Sequence, residues 1–94
     1  MALTITAEEK AFDITFYNGK SELIFENGKE FALLEIREVK NNKVINMYHK
    51  YIDISTIKST ELTLALLKTT NFVELLLQQP KIIDLQQVIK KYID

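Results

Sequence analysis

The chain has 94 residues, a formal net charge of −1, no cysteine and no tryptophan. That length allows one domain, 1–94, and a composition of 47% hydrophobic and 27% charged residues predicts that it folds. The near-neutral charge excludes a highly basic nucleic-acid coat and a strongly acidic DNA mimic, and the missing cysteines exclude a disulfide framework, a thiolate zinc site and a catalytic thiol.

The start, MALTITAEEK, lacks the basic-then-apolar pattern of a signal peptide. No apolar run approaches the roughly 20 residues of a membrane span, so the expectation is a cytoplasmic protein with no membrane contact. The Lys, Asn and Ile bias, with Arg37 the lone arginine, points to an AT-rich genome such as that of a low-GC bacterium or a phage. Leu3-Thr4-Ile5 fits a strand, while Thr6 with Glu9 fits the cap of a short helical turn; both stay open.

Both glycines follow asparagine, at Asn18-Gly19 and Asn27-Gly28. Asn-Gly between alternating segments marks a hairpin, because a type I′ turn needs positive φ at both central residues. Asn41-Asn42 is a third candidate turn, since asparagine tolerates left-handed backbone. Three turns define four strands, near 11–17, 20–26, 29–39 and 43–54.

Two-residue turns then set the register. Phe16 meets Ser21, Ile14 meets Leu23 and Phe12 meets Phe25; Phe25 meets Glu30 and Leu23 meets Ala32; Ile36 meets Met47, Leu34 meets His49 and Ala32 meets Tyr51. One face therefore collects Phe12, Ile14, Phe16, Leu23, Phe25, Ala32, Leu34, Ile36, Ile45, Met47 and Tyr51. The opposite face is mixed: Tyr17, Phe31, Leu33, Tyr48 and Ile52 lie among Lys20, Arg37 and Lys50. A face of that content meets either a partner or the N-terminal segment of its own chain.

After Ile54 the pattern turns helical. Leu62, Leu66 and Thr69 lie on one side of a first helix, with Leu64 and Leu67 alongside. Asn71 and Glu74 read as the capping box of a second helix running through Gln79. Pro80 precedes a third, near 82–93, with Ile82, Leu85, Ile89 and Tyr92 on one side. The predicted fold is α+β: a four-stranded antiparallel β-meander over 11–54, followed by about three short helices over 59–93 packed on its apolar face.

No catalytic constellation emerges. His49, the lone histidine, is expected on the apolar face as a hydrogen-bonded structural residue. Glu35 and Glu38 face opposite sides of a strand, and Glu8-Glu9 is solvated. Ser21, Ser55 and Ser59 have neither a nucleophile elbow nor a histidine partner. The expectation is a non-enzymatic binding protein with no metal and no cofactor.

Two ligands suit the mixed face. Single-stranded nucleic acid would stack bases on Tyr17, Phe31 and Tyr48 and place phosphates near Lys20, Lys29, Arg37 and Lys50. A protein partner would instead use Phe31, Leu33, Tyr48 and Ile52 as an apolar anchor with a charged rim. Such a module could be a small phage-encoded inhibitor, an adaptor or an assembly subunit. The long strand 43–54 would be a sheet edge, which predicts a homodimer under either reading.

Leu34-Glu35-Ile36-Arg37, then a turn, then Lys50-Tyr51-Ile52-Asp53-Ile54-Ser55 leading into a helix, resembles the positive-cofactor-four family of single-strand-binding transcriptional coactivators. The resemblance covers residues 34–55. It implies a curved four-stranded antiparallel meander with a helix, dimerisation, and Arg37 and Lys50 beside the bound strand.

Overall fold

The computed structural model describes residues 2–6, 11–17 and 24–94. Among these, the strands are β1 (Ala2–Thr6), β2 (Phe12–Tyr17), β3 (Ile24–Glu26), β4 (Lys29–Lys40), β5 (Lys43–Asp53) and β6 (Ile82–Ile83). The helices are α1 (Thr60–Leu67), α2 (Thr70–Leu77) and α3 (Leu85–Ile93). All the strands belong to one sheet, ordered β1-β2-β4-β5-β6, with β3 pairing β4 off that path. The class is α+β, with the helices packed on the apolar face of a mostly antiparallel sheet.

Two of the expected hairpins form. Asn27 and Gly28 have φ of 53° and 76°, and Phe25 faces Glu30 across the turn. Asn41 and Asn42 have φ of 53° and 63° and join β4 to β5. Positive φ at both central residues gives the turn the twist that flanking strands require. The Asn18-Gly19 turn lies outside the described residues.

The strand order differs from a simple meander. β2 pairs directly with β4, Ile14 facing Ile36 and Phe16 facing Leu34, rather than with residues 20–26. Its other edge is taken by β1, with Leu3 facing Phe16 and Ile5 facing Ile14. With both edges filled, β2 has no flank left for β3, which takes β4 at Phe31, Glu30 and Lys29 instead. Phe12, Ile14 and Phe16 nonetheless share a face with Leu34 and Ile36, as expected, because both registers keep the same parity.

The second difference reverses a whole strand. Val39 faces Val44, but Glu38 faces Asn46, so Ile45 is an extra residue on β5. This bulge slips the register by one. Ile36 now faces Tyr48, Leu34 faces Lys50 and Ala32 faces Ile52. Tyr48, Lys50 and Ile52 therefore lie on the helix-covered side, while Met47, His49 and Tyr51 lie on the open side, the reverse of the expectation. Burial explains the choice. A fully buried isoleucine contributes about 1.5–3 kcal/mol, and Ile52 is completely buried between Ala32 and Ile83. The alternative register would put Tyr51 opposite Ala32 and sink His49 opposite Leu34, each with a polar atom to satisfy.

Two of the three helices, α1 and α3, begin where a side chain accepts a backbone N–H, whereas the Thr69 side chain at the start of α2 makes no such bond. Ser59 Oγ accepts from Leu62 N at 3.1 Å and opens α1. Asp84 Oδ1 accepts from Gln87 N at 3.2 Å and opens α3. The cap of α2 is Thr69, and Asn71 sits inside the first turn rather than at the cap. Ile82 and Ile83, expected in the last helix, instead form β6, parallel to Tyr51 and Ile52. Two β-branched residues ahead of a capping aspartate favour strand, and Lys81 O satisfies the Tyr51 N–H at 2.7 Å. The sheet is consequently mixed, not purely antiparallel.

Among the described residues the core is a single cluster. Ile14, Phe16, Leu34, Ile36 and Ile52 from the sheet meet Leu67, Phe72, Val73, Leu76 and Leu85 from the helices. Phe72 also meets Tyr92 edge-on, ring centroids 5.2 Å apart and planes at 89°. In α1 the buried side chains are Thr63 and Leu67, while Leu62 is half exposed. A helix apolar on all sides carries no periodic signal to choose its inner face.

A polar clamp fastens the end of β5 to α3. Asp53 caps the 3-10 turn Ile54–Thr56, accepting from Ser55 N at 3.0 Å and Ser55 Oγ at 2.7 Å. These bonds hold its carboxyl below the usual carboxylate range, the Ser55 hydroxyl contributing most. Thr56 Oγ1 donates to Asp53 O and accepts from Leu85 N at 3.1 Å, and Gln86 Nε2 donates to Thr56 O at 2.7 Å.

Candidate interaction surface

The register writes the open face as three rows across the strands. Tyr17, Leu33, Tyr51 and Ile82 form an apolar row. Thr4, Thr15, Glu35 and His49 form the next. Thr6, Asp13, Arg37 and Met47 form the third.

The polar rows bind one another. Arg37 donates to Glu35 Oε1 at 2.6 Å and to Thr15 Oγ1 at 2.9 Å. His49 Nε2 lies 3.4 Å from the other Glu35 oxygen. Thr6 Oγ1 donates to Asp13 Oδ1 at 3.0 Å. Arg37 is thus half-buried and committed to a carboxylate on its own strand. At the far end the Lys81 ammonium stands 5.3 Å above the Tyr51 ring, a cation–π contact.

The residues expected to form one site are divided by the sheet. Tyr17, Leu33 and Arg37 are on the open face. Phe31 is on that face too, but it is only 6% exposed and offers no stacking platform. Lys29 is exposed at the β3–β4 turn. Lys20 lies outside the described residues. Tyr48, Lys50 and Ile52 are on the opposite side, so Arg37 and Lys50, which the family resemblance puts beside one bound strand, point to different faces. Tyr51, Met47, His49 and Ile82 take part in the open face instead. The sequence did carry a signal for this: the adjacent apolar pair Val44-Ile45 breaks the alternation that an unbulged strand requires.

Lys50 has a structural partner. Its Nζ donates to Gln79 O at 2.6 Å, just beyond the C-terminal end of α2. A cation there complements the helix dipole and satisfies a carbonyl. Lys50→Met is expected to lower stability by about 1–2 kcal/mol, read from urea unfolding, and to leave nucleic-acid affinity unchanged.

The edge of β5 is the other notable feature. Val39 N donates to Ala11 O at 2.9 Å, so odd-numbered β4 residues aim their backbone groups at β2 and even-numbered ones at β5. Tyr51 N donates outward, to Lys81 O. Both bonds imply the same alternation: Asn46, Tyr48 and Lys50 bond to β4, while Met47 and His49 present N–H and C=O outward. Beyond β6, which covers Tyr51 and Ile52, no described strand pairs with this edge. Val44, Ile45 and Met47 are about half exposed along it, at 52%, 49% and 52%.

Among the described residues no three His, Asp or Glu side chains gather into a metal-holding group, and no helix is long and apolar enough to cross a membrane. No family model, curated protein or solved structure matches the chain.

Proposed function

We propose that the protein is a non-enzymatic protein-binding module that takes an extended segment of a partner onto the free edge of β5. The observation that carries this reading is the run from Asn46 to Lys50, whose outward backbone groups at Met47 and His49 meet no described strand while apolar side chains flank them in solvent. An unpaired edge with exposed apolar residues is a template for an added strand. Main-chain hydrogen bonds would supply affinity, and alternate side chains would supply specificity.

Charge placement makes this reading stronger than the nucleic-acid one. The Lys50 ammonium is bonded to Gln79 on the helix side, and Arg37 is paired with Glu35. A single strand crossing the open face would find little free positive charge to release counterions.

The test is selection from a random peptide library on the immobilised chain and on its Met47→Pro variant. Proline at 47 removes an outward N–H and no bond to β4, so the fold tolerates it as edge strands do. Clones with alternating apolar residues are expected on the natural chain and lost on the variant. Equal enrichment on both would overturn the reading. A labelled single-stranded oligonucleotide is the counter-probe: steeply salt-dependent binding to the open face would restore the nucleic-acid alternative.

A further inference from the structure

We infer that the segment received by β5 carries acidic residues at both ends of a short, alternating apolar core. This rests on the edge reading above and adds the chemistry of the partner.

The available edge has fixed limits. β6 occupies Tyr51 and Ile52, and the bulge at Ile45 interrupts the ladder on the other side. Between them the regular stretch Asn46–Lys50 offers about 17 Å, at roughly 3.4 Å per residue. A bound strand therefore needs only a short core, and its flanks fall beside whatever lies at the two limits.

Both limits are cationic. At the hairpin end Lys40 and Lys43 face each other across β4 and β5, and both are exposed. At the β6 end stands the exposed Lys81, over Tyr51. From Lys43 to Lys50 the strand contains no carboxylate. Glu35 and Glu38, one strand inward, are already engaged. Arg37 and His49 hold Glu35, while Asn46 Nδ2 donates to Glu38 at 3.0 Å. The edge thus presents backbone donors and acceptors in the middle and, beyond them, lysine ammonium groups that meet no carboxylate among the described residues, Lys81 resting over the Tyr51 ring.

The same charges disfavour a second copy as occupant. Antiparallel pairing of two β5 strands about a two-fold axis brings the Lys40–Lys43 end of each toward the Lys81 end of the other. Like charges placed so across an interface act against association. Phosphate chains would answer the lysines but not the outward N–H and C=O groups, which need a peptide backbone.

The test uses the full ¹⁵N-labelled chain and two synthetic ten-residue peptides. Both contain valines alternating with threonines; one is flanked by paired aspartates and the other by paired lysines. The aspartate peptide is expected to shift the Met47 and His49 amides and to bind about tenfold tighter at low salt, the ratio shrinking as salt screens the pairs. In the Lys43→Glu/Lys81→Glu double variant the preference should reverse. Equal affinity for both peptides on the natural chain would overturn the acidic-flank inference while leaving edge pairing intact. Shifts at Met47 and His49 with neither peptide would overturn both. The salt dependence on the natural chain reads the same charge without any substitution.

Discussion

Ile52→Ala is expected to lower the unfolding free energy by about 2–5 kcal/mol, while Tyr51→Ala, one position away, costs well under half as much. The contrast follows from the bulge at Ile45. It turns Ile52 inward, where it is completely buried against Ala32 and Ile83, and turns Tyr51 onto the open face. Truncating Ile52 removes buried methyl groups and leaves a cavity that sheet and helices can only partly close. Truncating Tyr51 removes a half-buried ring and its contact with Lys81. An unbulged strand would reverse the order of the two losses. Urea unfolding of both variants measures it, and a larger loss for Tyr51→Ala would refute the observed register.

Phe72→Ala is expected to cost about 3–5 kcal/mol, comparable with much of the roughly 5–15 kcal/mol that holds a typical domain. Phe72 is fully buried in α2, part of the one cluster joining sheet and helices, and it stacks edge-on with Tyr92 of α3. Its loss empties the layer between the sheet and two helices at once. Tyr92→Ala removes the same ring pair from its outer side. That pairing is worth about 0.5–1.5 kcal/mol beyond burial, so its cost should be clearly smaller. Calorimetry on the two variants separates these. Equal small losses would mean that the helices do not depend on this core.

The fold class was legible because it rests on strong local signals. Asn27-Gly28 and Asn41-Asn42 announce turns through residues that tolerate positive φ, and the apolar alternation of β2 and β4 gives the inner face. The partner of β2 was not legible. Ile14 and Phe16 pair equally well with apolar residues of either neighbouring segment, and only the commitment of Leu3 and Ile5 to β1 removes one option. β6 was hidden for a related reason: two isoleucines before Asp84 fit either a helix start or a strand, and the unpaired Tyr51 N–H decides between them.

The site was less legible than the fold because one residue determines it. A bulge is a local choice set by what the whole core can bury, and it exchanged Tyr48, Lys50 and Ile52 for Met47, His49 and Tyr51 on the open face. Tyr17, Leu33 and Arg37 kept their face because β2 and β4 carry no such slip within their paired length. Lys50 looked like a phosphate contact by composition alone; its bond to Gln79 depends on where α2 ends, which no local pattern around Lys50 encodes.

Backbone amide hydrogen exchange along β5 reads, residue by residue, whether this edge is free. The Met47 and His49 amides should exchange rapidly in the free chain, while those of Tyr48 and Lys50, bonded to β4, should be protected. Adding the aspartate-flanked peptide should slow Met47 and His49 selectively. Strong protection of Met47 and His49 in the free chain at low concentration would show that the edge is already occupied and cannot receive a partner strand.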